Sequence, residues 1–371
     1  MFLSKITVTN FKNYEFQEFV FSERLNCVMG LNGVGKTNIL DAIYYLCMCK
    51  SYFAGQDKNV VKQGENFFRL DGTFIKKERS EHIVFKVQPS KKKEILKNES
   101  PYEKIIDHVG QYPIVMIAPD DTQLAQEGSE ARRRFLDNSL SQIDDVYLSN
   151  LLIYNRLIDQ RNTALKQFAQ KNTFQATLIE SYNRQLIPLG EYIFEQRKKF
   201  FEEFFPIFEE FFKFISNKSD AVYLSYNSKL ADQNFEALLQ NALPRDKILQ
   251  RTSVGIHKDD LIFGIKNLPV KKFASQGQLK SFILALKLAQ FEILKKAKQV
   301  APILLLDDIF DKLDETRIRQ LLHLLHQQGF GQIFITDTHL ERIKLIISDL
   351  NYNSKLFQIE NLDNLLSVKN L

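Results

Sequence analysis

At 371 residues the chain is long enough for one large domain or two modest ones. Its 50 Lys+Arg and 45 Asp+Glu leave a net charge of +5, a balance that permits contact with nucleic acid without arguing for it. An uncharged apolar run of about 18 residues occurs nowhere, and Met1–Val8 alternates like a strand instead of forming a signal-peptide block, so the expectation is a cytoplasmic protein that crosses no membrane. Cys27, Cys47 and Cys49 are an odd set without the second ligand pair of a zinc site, and they read as reduced core residues.

In chain order, Ile6, Val8 and Phe11 open a strand, and 24–29 form another that runs into a glycine-rich loop. Residues 38–48 read as a helix, with Ile39, Ile43 and Leu46 at i, i+4 and i+7. Segments 67–75 and 82–87 alternate as strands, and Lys91-Lys92-Lys93 falls between Pro89 and Pro101 as a hairpin tip. Over 130–250 strand signals vanish. There Phe201, Phe204, Phe205, Phe208, Phe211, Phe212 and Ile215 share one helical face, with Pro206 expected to kink or restart the helix. Strands return at 261–265, 302–306 and 332–336, separated by helices over 278–296 and 316–326. That alternation implies a parallel sheet covered by helices. The expected fold is α/β: a lobe with a mixed sheet and helices, assembled from 1–130 and 251–371, interrupted by an all-helical lobe over 131–250.

Gly30-Leu31-Asn32-Gly33-Val34-Gly35-Lys36-Thr37 fits the phosphate-binding pattern G-x-x-x-x-G-K-[ST], after an apolar strand and before a periodic helix. The glycines let the backbone turn so that successive N–H groups face phosphate oxygens, and the helix N-terminus adds its positive dipole end. Lys36 then reaches the β- and γ-phosphates and the Thr37 hydroxyl ligates Mg²⁺. Such a loop calls for a carboxylate at the end of a nearby buried strand. Ile303-Leu304-Leu305-Leu306-Asp307-Asp308 supplies it, with Asp307 on the metal side and Asp308 polarising the attacking water.

Ala274-Ser275-Gln276-Gly277-Gln278-Leu279-Lys280 opens the helix that precedes those aspartates. Its Ser-x-Gly-Gln run resembles the signature motif of ABC-type ATPases, and Asp311-Lys312-Leu313-Asp314 resembles their D-loop. Within that class the chain resembles the RecF family of bacterial DNA repair proteins. The resemblance rests on Asn10-Phe11-Lys12-Asn13-Tyr14, the loop 32–38 through Asn38, Lys50-Ser51-Tyr52-Phe53, Arg133-Arg134-Phe135-Leu136-Asp137 and Gly255-Ile256-His257-Lys258-Asp259-Asp260-Leu261, where Ile256 replaces a proline. The long coiled-coil arms of SMC relatives are missing.

The resemblance implies two protomers sandwiching two ATP molecules, with Ser275, Gly277 and Gln278 of one completing the phosphate site held by residues 30–38 of the other. It implies a homodimer that grips duplex DNA or single-strand/duplex junctions, RecR and RecO proteins as partners, and roles in gap repair, replication maintenance and the SOS response. Weak DNA-stimulated ATP hydrolysis would time release. Asp308 stands where many ABC enzymes carry Glu, and its shorter reach leads us to expect slow hydrolysis. The switch-histidine position holds Asp337, with His339 two residues on, and no single Q-loop glutamine is assigned, Gln123 and Gln126 lying in the region expected for one. Lys91–Lys93, Arg132–Arg134 and Lys198–Lys199 are the candidate DNA contacts, each also readable as a solvated face, and Arg133 and Arg134 equally as partners of Asp137 or neighbouring acids. Competing readings are the nucleotide-binding subunit of a transporter, opposed by the helical insert, and a non-hydrolysing nucleotide switch, opposed by Asp307 and Asp308. A P-loop kinase fits worst, having no need of Ser275–Gln278.

Overall fold

The long strand Phe2–Phe11 pairs antiparallel with Tyr14–Val20 on one side and Phe68–Lys76 on the other. Arg79–Val87, Glu94–Lys97 and Ser100–Pro101 follow, giving a six-stranded antiparallel sheet. A second six-stranded sheet runs in the order 365–370, 354–362, 25–29, 333–337, 303–307, 114–117, parallel except at the 365–370 edge. A computed structural model is the basis of this description, and it covers residues 1–216, 220–310, 315–327, 329–362 and 365–370.

The helix Lys36–Met48 packs against strands of both sheets, and every residue from Ile39 to Met48 is buried. Sequence periodicity marked one apolar face, yet the helix is enclosed all round. One sheet comes so close that a Cβ at Gly72 would lie 2.7 Å from the Leu46 side chain. All three cysteines are buried and free of disulfides.

The chain divides into two compact units: 1–121, 211–218 and 280–371 in the first, 122–210 and 219–279 in the second. The second unit is mostly helical, with Ser129–Ile143, Asp145–Lys171 and the larger part of Ala176–Ser216. It also holds a strand the periodicity did not announce, Val222–Asn227, which pairs antiparallel with Asp260–Ile265. That pairing draws 251–279 into the helical unit, whereas the sequence reading grouped it with the C-terminal ATPase segment. Pro206 does not restart the helix: Ala176–Ser216 runs unbroken past Pro188 and Pro206. Pro206 is exposed, so the carbonyl it leaves unbonded can meet water. The aromatic face shifts accordingly. Phe200, Phe204, Phe208, Phe211, Phe212 and Ile215 are buried, while Phe201 and Phe205 are half-buried.

Candidate functional site

In the parallel sheet, Met29 stands level with Asp337, and Thr336 with Asp307, so three neighbouring strands end together at the edge where Gly30 begins the loop. Carboxyl ends of parallel strands are where α/β proteins gather ligands. Thr37 Oγ1 donates to Asp307, 3.0 and 2.9 Å from its two carboxylate oxygens. Thr336 Oγ1 donates to Asp307 Oδ1 at 2.7 Å and accepts from the Asp308 backbone N–H at 2.8 Å. Burial raises the Asp307 pKa above the usual value, against the pull of the Thr336 and Thr37 hydroxyls, and the Asp308 charge pushes the same way. Asp308 sits in the left-handed region at φ 46, and its buried Oδ1 has no hydrogen-bond partner among the described residues.

Lys36 folds over its own loop: its ammonium donates to the Gly30 and Leu31 carbonyls at 2.8 and 3.1 Å and lies 3.5 Å from Asn32 Oδ1. Gly33 and Gly35 are left-handed, at φ 83 and 111. A Cβ at Gly35 would lie 2.4 Å from the Asn13 amide, and one at Gly30 2.4 Å from the Ile359 carbonyl, so both positions also demand glycine for space. Leu31, Asn32 and Gly33 are exposed. Exposed backbone, a buried ammonium, two threonine hydroxyls and a carboxylate pair are the donor set that a Mg²⁺-bound triphosphate needs.

The loop is braced from the N-terminal hairpin, whose two-residue tip, Lys12-Asn13, lies between the paired Phe11 and Tyr14. Asn13 donates to the Val34 carbonyl at 3.0 Å and accepts from Asn38 at 2.7 Å, while Tyr14 OH donates to the Gly35 carbonyl at 3.0 Å. Lys12 pairs with the fully buried Asp41 at 2.7 Å. Asp41 also accepts from Ser51 Oγ at 2.6 Å and from the Tyr52 N–H at 2.7 Å. Tyr52 in turn bonds Asp121, which pairs with the buried Lys287 at 2.8 Å, and Lys287 also donates to the Met116 carbonyl. The Asn10–Tyr14 and Lys50–Phe53 segments are therefore one scaffold around the loop helix. Sequence spacing contained no signal for Asp41, Asp121 or Lys287, because each acts through partners distant in sequence.

Ser275 and Gln278 form a reciprocal capping box: the Ser275 N–H reaches Gln278 Oε1 at 3.0 Å and the Gln278 N–H reaches Ser275 Oγ at 3.2 Å. They open the helix Gln276–Lys298, with Ser275 exposed and Gly277 and Gln278 half-buried. These three residues belong to the second unit and the phosphate loop to the first. Asp337 accepts from the His339 N–H at 2.8 Å, and His339 itself is exposed at the start of the helix Leu340–Leu350. Gln123 and Gln126 are exposed on one short helix, and Asp311–Asp314 lie outside the described residues.

Four of the eight basic candidates have intramolecular work. Lys93 pairs with Asp57 and donates to the Cys49 carbonyl, leaving Lys91 and Lys92 exposed at the turn. Arg132 is forked onto Asp260 at 2.6 and 3.0 Å, and Arg134 pairs with Glu130. Arg133 donates to the Asp259 carbonyl at 2.6 Å. Asp137, considered as its acid, instead takes the fully buried Arg197 at 2.7 Å. Arg197 also reaches Asp259 and the Ile256 carbonyl, so the Arg133–Asp137 and Gly255–Leu261 segments form one buried network. Lys198 and Lys199 are exposed.

A family model described as the RecF/RecN/SMC N terminal domain matches residues 2–352. The DNA replication and repair protein RecF of Flavobacterium johnsoniae is 46% identical over 359 residues, 97% of this chain and 100% of that one. RecF of Parabacteroides distasonis is 41% identical over 360 residues, 97% of this chain and 98% of that one. A solved structure of the recombination mediator protein RecF with ATP, in the RecFOR pathway, superposes with a TM-score of 0.87 at 30% identity, covering 99% of this chain and 97% of that one. An SMC head domain from Pyrococcus furiosus shares the fold alone, at a TM-score of 0.58 and 18% identity, over 100% of this chain and 96% of that one.

Proposed function

Since the chain belongs to the RecF family of DNA replication and repair proteins, we propose that it is an ATP-gated DNA clamp of recombinational gap repair. The observation that carries this reading is the pre-assembled set at the strand ends: Lys36 inside its glycine loop, and Thr37 and Thr336 aimed at Asp307, beside an unpartnered oxygen of Asp308.

Residues 30–38 bind the triphosphate through their backbone N–H groups. Lys36 exchanges two neutral carbonyl partners for charged phosphate oxygens, which make the stronger hydrogen bonds. Thr37 and Asp307 hold Mg²⁺, which when bound neutralises charge developing on the phosphates. Thr336 fixes the Asp307 rotamer from the other side and ties the Asp308 backbone in place. Asp308 accepts the proton of the attacking water, and its short side chain keeps turnover slow. In a homodimer, Ser275, Gly277 and Gln278 of one protomer present a helix N-terminus to the γ-phosphate bound by the other, so self-association depends on that phosphate. The closed dimer grips duplex DNA beside a single-strand gap, with RecR and RecO proteins as partners, in the cytoplasm. Maintenance of replication and the SOS response follow from the same clamp.

The test is self-association and DNA binding in ATP, ADP and no nucleotide, for the wild type and Lys36→Arg. ATP-dependent dimerisation and DNA binding, both lost in the variant, are expected. Equal binding in all three states sinks the gated clamp, and dimerisation without DNA affinity sinks its DNA role.

A further inference from the structure

In the helical unit the buried arginines and the surface cations divide the acids unequally. Asp246 is taken by Arg161 at 2.8 Å, Asp137 and Asp259 by Arg197, and Asp260 by Arg132. Asp246 further accepts from Ser253, and Asp259 from the Tyr226 hydroxyl. These carboxylates are thereby committed to interior partners. Arg133, Arg251 and Lys258 have no carboxylate within ion-pair distance among the described residues.

Local hydrogen bonds bring the three together. Arg133 bonds the Asp259 carbonyl, next along the chain from Lys258. His257, on the other side of Lys258, lies 3.2 Å from the Thr252 carbonyl, next along from Arg251. Arg251 and Lys258 are exposed and Arg133 half-buried. Partial burial first, then the charges of Arg251 and Arg133, push the Lys258 ammonium below the usual lysine range, with Asp246 pulling the other way. Like charges held together with no carboxylate in direct contact cost free energy in the isolated protein, and an anion that spans them recovers it.

We propose that Arg133, Arg251 and Lys258 are a contact for the phosphate backbone of duplex DNA. The inference rests on the DNA-binding reading above and adds to it the residues that meet the strand. Three cations on a rigid frame suit phosphates, so the contact is independent of sequence and sensitive to salt. The frame is rigid because Arg197 holds the Ile256 carbonyl and the Asp259 carboxylate from beneath.

The experiment measures fluorescence anisotropy of a labelled random-sequence duplex, with ATP present, across a salt series. The chains compared are the wild type, Arg251→Glu/Lys258→Glu and the conservative Arg251→Lys/Lys258→Arg. Charge reversal is expected to weaken binding on the order of tenfold or more, and to lower the log–log salt slope by about 2. The conservative pair should keep the wild-type slope, and ATP affinity and ATP-dependent self-association should be unchanged in both. An unchanged slope and affinity in the reversed variant overturns this contact while leaving the clamp intact. So does DNA binding that falls only together with self-association. A wild-type chain that binds no duplex in any nucleotide state removes the clamp reading itself, and this contact with it.

Discussion

Two polar centres in this chain look alike in sequence and differ in physics. At the phosphate loop, Lys36 donates to two carbonyls of its own loop and Asp307 accepts from two hydroxyls, neutral hydrogen-bond partners that a charged ligand can outbid. In the helical unit, Arg161 is fully buried against the equally buried Asp246, and Arg197 against the buried Asp259 and the half-buried Asp137. Charges so placed cannot be exchanged, because removing one strands the other without water. The presence of charged residues in a motif therefore does not mark a working site. Whether their present partners are replaceable does.

The sharpest way to break this comparison is Arg161→Met. It leaves Asp246 buried without its cation, and urea unfolding should show a loss of about 3–5 kcal/mol. A loss below about 1 kcal/mol would mean the network is as exchangeable as the ATP site. Lys36→Ala is the matching substitution at the loop. Calorimetric ATP titration should show affinity falling about 10–100-fold, the value of losing charged hydrogen bonds, while thermal unfolding without nucleotide barely moves.

Proton linkage sharpens the contrast next. His257 in the helical unit and His108 in the other are each held down to about 4, burial being the first cause. With folded values below the unfolded 6.5, the unfolded chain binds more protons between about 4 and 6.5, so stability is fully present above that window and lost as pH falls through it. In His257→Gln the slope of stability against pH near 5 should flatten by up to about 1.4 kcal/mol per pH unit, read from urea unfolding at several pH values. An unchanged slope would show that His257 is protonated in the folded chain. The smallest effect expected is Asn13→Ala. It frees the Val34 carbonyl and the Asn38 amide at a partly exposed site, so stability should drop by about 1 kcal/mol and ATP affinity a few-fold.

The phosphate loop, the strand ending in Asp307 and the serine that opens the long helix were legible because each is local. A glycine that must turn, an apolar run that must be buried and an N-cap that must accept a bond are decided within a few residues. The scaffold was not legible for the opposite reason. Asn13 at the hairpin tip meets Val34 in the phosphate loop, and Asp121 meets Lys287 from the far side of the helical segment in sequence. Val222–Asn227 did carry a faint signal, since Val222 and Leu224 alternate inward, but a short strand after a long amphipathic helix is masked by the stronger period. A restart at Pro206 was not decidable from sequence because its cost depends on which side of the helix it faces, and that is a tertiary fact.

The strand Leu25–Met29 is flanked on both sides by partners from far along the chain, Ile333–Asp337 and Ser354–Leu362. During translation those partners follow by about 300 residues, which at ordinary elongation rates is on the order of 15–60 s. For that interval the nascent chain carries its nucleotide motif on an unpaired apolar strand, Leu25–Met29, without the neighbouring strands that position Thr336 and Asp307. Competence to bind nucleotide thus arrives only when the late strands dock, and a ribosome-stalled fragment ending before Ile333 would be blind to ATP although every residue of its loop is present.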